Sequence, residues 1–125
     1  MIISIHQPNY LPWMGFFDKI ARSDIFVIFD NVQFPRGKQH FGHRNLIKTD
    51  GEPKWLTVPL NGKSDFKNFN EIEINYNGWN DNHLNLIKNF YRKSKYFNVY
   101  YGDLESILKV NYKTLSELNL SLIHI

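Results

Sequence analysis

Apolar and polar positions change rhythm several times along this chain, and each rhythm marks an element. Ile2, Ile3 and Ile5 open it as a short buried strand over residues 2–5. Pro8 and Pro12 bracket a turn, and Pro12 suits the first turn of a helix, where its missing N–H costs nothing. Trp13, Phe16, Phe17 and Ile20 follow at i, i+3, i+4 and i+7. That is one face of a helix that needs a sheet to cover. Residues 25–29, Ile-Phe-Val-Ile-Phe, are continuously apolar, as in a central strand covered on both faces. Strand, helix and strand this close together predict a right-handed parallel crossover.

The rhythm is lost from Asn31 to Phe41, and a non-repetitive stretch of this length is functional or mobile. Residues 44–48 and 54–60 then read as two strands joined around Asp50-Gly51, a hairpin turn signal. The stretch 61–70 is polar and loop-like. Glu71-Ile72-Glu73-Ile74 alternates as a half-buried strand does. Apolar positions at 79, 84, 87, 90 and 91 predict a helix over 79–93. Those at 104, 107, 108, 115 and 118 predict another over 103–118. The fold class is α/β: an N-terminal parallel βαβ unit, extended by a hairpin and a further strand and covered by helices.

Length and composition agree with one domain over residues 1–125. Apolar residues make up 42% and aromatics 16%, enough to pack a core and too many for disorder. The chain has no cysteine, which excludes disulfides and thiolate metal sites. The first strand starts at once, with no basic-then-apolar leader before it, and no apolar run reaches the roughly 18–20 residues of a membrane span. A cytoplasmic protein without a membrane span is expected.

Net charge is +3, short of a nucleic-acid-binding arm, and the aromatics do not interleave with the basic residues as RNA binding requires. The distribution says more. Between Asn31 and Thr49 there is no acid, while Arg36, Lys38, Arg44 and Lys48 are basic and His40 and His43 can become so. Such a stretch attracts an anion more readily than it stabilises a fold.

The parallel crossover gives the candidate chemistry a location. His6 and Asp30 each follow the carboxyl end of a strand, and ligands of open α/β sheets bind beyond that edge. His6 is either a general base or phosphate ligand, or a residue that ties the turn together. Asp30 can orient His6, bind a sugar hydroxyl or coordinate magnesium, or simply cap backbone groups. Gln33 offers an amide to a sugar or base edge. Arg44 can grip phosphate or carboxylate in bidentate fashion, with Asn45 and Lys48 sharing that argument. The histidine spacings match no metal motif, and no Walker loop or GxGxxG is present.

His6-Gln7-Pro8-Asn9-Tyr10-Leu11-Pro12-Trp13, with Gly15, Phe17, Lys19-Ile20 and Asp24, resembles the opening of the WbqC-like family. Asp30, Val32-Gln33-Phe34, Arg44-Asn45, Ile47-Lys48 and Trp55-Leu56-Thr57-Val58-Pro59 continue the resemblance. Asn70-Glu71, Trp79, His83, Tyr91 and Tyr96-Phe97 carry it into the second half. Two positions depart from the family pattern: His43 stands where members usually carry asparagine, and the basic spacing of Arg36-Gly37-Lys38 differs.

The resemblance implies a transferase acting on an activated, nucleotide-linked sugar. Transfer of a glycyl, other acyl or amino group in O-antigen or other surface-polysaccharide biosynthesis is the proposed family reaction. His6 and Asp30 would then be catalytic, and Gln7, Tyr10, Gln33, Arg44, Asn45 and Lys48 would hold an anionic small-molecule substrate. No metal site and no cofactor are expected, magnesium excepted if the substrate is a nucleotide. The alternatives are a nucleotide-binding or nucleotidyltransferase-like domain and a non-catalytic scaffold. The resemblance also implies members of well over 200 residues, so a domain truncated at its C-terminus is expected, with apolar surface left bare on the helix from about Leu104 to Leu118. Residues 120–125 read either as translated adapter sequence or as a continuing helix.

Overall fold

The computed structural model describes residues 1–37, 40–62 and 66–124. Lys38 of the acid-free stretch, part of the polar loop after Leu60, and Ile125 lie outside the described residues. The α/β class holds. In order, the elements are β1 (Ile3–His6), α1 (Met14–Ala21), β2 (Ile25–Ile28), β3 (Arg44–Ile47) and β4 (Lys54–Thr57). A 3-10 turn (Phe69–Glu71), α2 (Trp79–Tyr91), α3 (Phe97–Leu108) and α4 (Leu115–Ile123) complete it.

β1 and β2 are parallel, with Ser4 opposite Phe26 and His6 opposite Ile28. α1 covers one face of this pair. Its anchor is Phe16, 1% exposed, whose ring meets the edges of Phe26 at 5.5 Å and His6 at 4.9 Å. Trp13 does not join that face: it sits at the helix N-cap, exposed, with its indole laid over Gly15 so closely that a Cβ there would collide with it. The opposite face carries Ile3, Ile5, Ile25 and Val27, all 38–55% exposed. β2 is therefore not covered on both faces as its apolar run suggested. One crossover helix covers one face, and no second layer lies on the other among the described residues.

The hairpin forms around Asp50-Gly51 as expected, with Arg44 opposite Thr57 and Ile47 opposite Lys54. It makes its own two-stranded sheet rather than extending the first. Residues 71–74 keep the alternation, with Ile72 and Ile74 buried and Glu71 and Glu73 exposed. They make only isolated bridges, Leu60 with Ile74 and Glu73 with Thr114. The preceding 3-10 turn, closed by a capping box of Asn68 and Glu71, absorbs the residues a strand would need.

The helix expected over 103–118 is two helices. α3 begins earlier, at Phe97, and stops at Leu108; α4 starts afresh behind Thr114, whose hydroxyl accepts from the Glu117 N–H at 3.3 Å while the Glu117 carboxylate accepts from the Thr114 N–H at 3.0 Å. This reciprocal cap is a sequence signature of a helix start. The break folds the last segment back, so Leu108, Leu115 and Leu118 are all fully buried. Apolar surface is bare on the β1–β2 sheet and also at Val99 and Tyr100 of α3 and at Val110 just after it. Leu122 is buried too. The main core gathers Tyr10, Phe34, Leu56, Val58, Phe69, Ile72, Trp79, Leu84 and these leucines. No helix among the described residues is long and apolar enough to cross a membrane.

The two faces of the parallel pair should respond oppositely to substitution. Phe16→Ala removes the anchor of the covered face and should cost about 3–5 kcal/mol in urea unfolding. Ile5→Lys on the bare face should cost less than about 1 kcal/mol and reduce binding of a hydrophobic dye. Unchanged dye fluorescence in Ile5→Lys would show that the bare face is not the dye's target.

Candidate functional site

The loop from Gln7 to Trp13 leaves the carboxyl edge of the parallel pair and is pinned at several points. The Tyr10 N–H donates to the Phe41 carbonyl at 2.8 Å. Its side chain is fully buried, and its hydroxyl meets His83 Nδ1 on α2 at 2.9 Å. Leu11 is held at φ 46°, left-handed backbone that a bulky residue adopts only under constraint, at about 1–3 kcal/mol. The constraint is Asn45 on β3. Its side-chain amide donates to the carbonyls of Leu11 at 2.6 Å and Tyr10 at 3.3 Å. Tyr10 and Asn45 thus serve the shape of this loop.

At the sheet edge, His6 is half-buried, and its Nδ1 lies 2.7 Å from the Gln7 carbonyl. A carbonyl only accepts, so Nδ1 carries the proton and Nε2 the lone pair. The His6 carbonyl accepts from the Phe29 N–H at 2.9 Å, which holds the two strand ends side by side. Asp30 follows on β2's side of that edge. Its carboxylate accepts from the Ser116 hydroxyl at 2.6 Å, at the first turn of α4. His6 and Asp30 share an edge but do not hydrogen-bond each other.

Residues 30–34 then run beside 67–70 through the Asn70-to-Asp30, Phe69-to-Val32 and Phe34-to-Lys67 backbone bonds. Gln33 lies in this pairing, bridged to Asn68, with its side chain exposed. Gln7 is half-buried. The Lys48 N–H donates to the Tyr91 hydroxyl at 2.8 Å while its side chain stays in solvent.

Arg44 belongs to a second grouping. Its guanidinium stacks on Trp55 at 3.7 Å from the ring centre, and Trp55 stacks in turn on Phe41. Beside it, His40 and His43 have ring centres 5.0 Å apart. Both meet the Phe34 ring edge-on, at 4.9 and 5.6 Å. Burial, then the neighbouring His40 and Arg44 charges, push His43 down to about 4. Burial and Arg44 also lower His40, against a bond to the Gly37 backbone that raises it. The signal for this grouping was in the sequence: two histidines three apart, next to an arginine, inside a stretch without acids.

Among the described residues no side-chain hydrogen bond or ion pair joins His6 or Asp30 to Arg44. A cavity of about 820 Å³ lies between α1 and the C-terminal helices, lined by Phe17, Tyr91, Tyr96, Phe97, Tyr100 and Leu122 among others. Its wall is almost wholly apolar, and none of the candidate site residues lines it. Among the described residues no three His, Asp or Glu side chains gather as a metal site would require.

A family model described as the WbqC-like protein family matches residues 7–125. The chain belongs to this family. The WbqC-like protein is also 35% identical, over 96 residues, to an uncharacterised protein of Mycobacterium tuberculosis. That match covers 76% of this chain and 41% of the mycobacterial protein, so the chain spans less than half of the relative's length. No solved structure matches it.

Two outcomes follow from the buried imidazoles of this WbqC-like chain. Tyr10→Phe leaves His83 Nδ1 without its partner and should cost about 1–3 kcal/mol in urea unfolding; a neutral result would mean the bond contributes nothing. His83 is held neutral, down at about 4, by burial, although a bond to the Thr57 backbone pulls the other way. In the unfolded chain His43 and His83 take up protons below about pH 6.5; in the folded chain they do so only near 4. Their contribution is therefore present above pH 6.5 and lost as pH falls towards 4. Unfolding curves across this window should show that loss, with a shallower slope in His83→Gln. An equal slope in the variant would show that His83 has no part in it.

Proposed function

We propose that this chain belongs to a transferase acting on an activated, nucleotide-linked sugar, moving a glycyl, other acyl or amino group in surface-polysaccharide assembly. Family membership supports the reading, and one structural observation carries it: the bond from His6 Nδ1 to the Gln7 carbonyl, at the carboxyl edge of the parallel pair. It leaves Nε2 as a proton acceptor where open α/β sheets bind ligands. In an acyl transfer, Nε2 takes the proton of the attacking amine or hydroxyl as the new bond to the acyl carbon forms. The proton then passes to the leaving group as its bond breaks.

In this reading Asp30 and Gln33 orient the acceptor, Gln7 borders the base, and Arg44 and Lys48 hold the anionic part of the donor. Tyr10 and Asn45 act by shaping the loop. Asp30 is the carboxylate nearest the edge for magnesium, should the donor bring it.

A thermal-shift screen of the protein against nucleotide sugars, nucleoside triphosphates with magnesium, and acyl donors tests the substrate class, since a ligand that binds the folded state raises the melting temperature. Nucleotide sugars should stabilise. Stabilisation by triphosphates alone would replace the reading with a nucleotidyl-transferring one, and none at all with a scaffold. With the substrate in hand, His6→Asn keeps a donor for the Gln7 carbonyl but removes the base. It should lower the rate by roughly 10²- to 10⁴-fold with little change in melting temperature. An unchanged rate would end the role of His6.

A further inference from the structure

Deep in the wall of the Arg44 grouping, three polar atoms are buried without a hydrogen-bond partner among the described residues: His43 Nδ1, Arg44 Nε and Asn119 Oδ1. Unpaired buried polar atoms are rare because each forfeits its hydration for nothing. Here they converge on one short segment. Asn119 on α4 donates its amide to the Gly42 carbonyl at 2.8 Å, and Gly42 lies between His40 and His43. Gly42 is itself pressed against its surroundings: a Cβ there would come within 2.9 Å of the Phe69 ring and 3.2 Å of His40 Nδ1. The segment is built tightly and its backbone is paired, yet these side-chain atoms find no partner among the described residues.

We propose that His40, His43 and Arg44 form a binding site for a small oxyanion, a phosphate-like group, and that the two imidazoles take up protons as it binds. This rests on the reading above for the anionic character of the substrate, and adds the side chains that receive its charge.

Electrostatics and geometry both favour an anion here. The two imidazole rings lie 5.0 Å apart and both pack against Phe34, while the guanidinium of Arg44, the residue after His43, is held over Trp55. Among the described residues Arg44 makes no ion pair. Among the described residues, the other elements seen in contact here contribute neutral groups: Phe69 from the 3-10 turn, Trp55 from β4 and Asn119 from α4. A fold gains nothing by crowding three positive-capable groups with no counter-charge, whereas a site for an anion gains affinity.

Without an anion, burial and then the Arg44 charge lower His40, and burial, His40 and Arg44 lower His43. An anion between them reverses the repulsion and raises their proton affinity. Binding then consumes protons, so affinity must rise as pH falls. Arg44, always charged, supplies the part of the affinity that does not depend on pH.

Calorimetric titration of the protein with sulfate, whose charge is constant between pH 5.5 and 8, reads this directly. Affinity should rise by about tenfold or more from pH 8 to 5.5, as it does when binding is linked to proton uptake. Repeating the titration in two buffers of different ionisation enthalpy should show net proton uptake, without any variant. His43→Asn should flatten the pH profile and reduce the proton uptake. Arg44→Met, which retains an apolar stem over Trp55, should weaken binding about tenfold or more at both ends. No sulfate binding, or a pH-independent affinity without proton uptake, overturns the site. So does an unchanged affinity in a folded Arg44→Met. Sulfate binding without stabilisation by nucleotide sugars would keep the site and defeat the transferase reading; the reverse would keep that reading and defeat the site.

Discussion

The hydrogen bond between Tyr10 and His83 joins positions 73 residues apart, and the arrangement at the sheet edge depends on it. Tyr10 is the middle of the loop that leaves β1. Once its hydroxyl is fixed on α2 and its N–H on Phe41, Leu11 has nowhere to go but left-handed backbone, and Asn45 clamps it there. The fixed loop then sets where Gln7 presents its carbonyl, and with it the tautomer of His6. A neutral His83 can accept from the phenol; a protonated one cannot. The imidazole is therefore buried where its charge is suppressed, and His6 at the sheet edge inherits its geometry from a bond in the core.

The parts of the fold carried by local rhythm were legible in the sequence. Phe16, Phe17 and Ile20 at helical spacing and the apolar run 25–29 predict the crossover, and Asp50-Gly51 predicts the hairpin. The break between α3 and α4 was equally local: Thr114 and Glu117 mark a start inside an apolar pattern that otherwise reads straight through. Periodicity of apolar residues does not register a cap, because capping is done by polar atoms. The alternation at 71–74 was real, but a strand needs a neighbour along its whole length, and these residues find only single bridges.

The candidate site was less legible, for a different reason. A short motif cannot say which of its polar residues face a ligand and which face the chain. Tyr10 and Asn45 belong to the opening motif and the hairpin start, and both spend their hydrogen bonds on the protein itself. Asp30 likewise gives its carboxylate to Ser116, 86 residues away. His40 and His43 show the converse. They lie in a stretch without rhythm, and only the packing of Phe34 against both rings shows that they act as a pair. Such long-range partners decide what a polar residue is for, and they are settled by tertiary packing.

Among the described residues β1 and β2 each have a single partner strand, so each also presents an outer row of backbone N–H and C=O groups. Along residues 3–6 and 25–28 no proline and no Lys, Arg, Asp or Glu interrupts those rows. An extended segment of any origin can therefore lengthen this sheet by pairing main chain to main chain, the mode of recognition in which side chains choose the partner and backbone supplies the grip. Every strand gained that way in the parallel sense would bring one more carboxyl end to the edge where His6 and Asp30 already stand. The breadth of that mouth is thus a property of how many strands the sheet has, and could be altered without changing a residue in it.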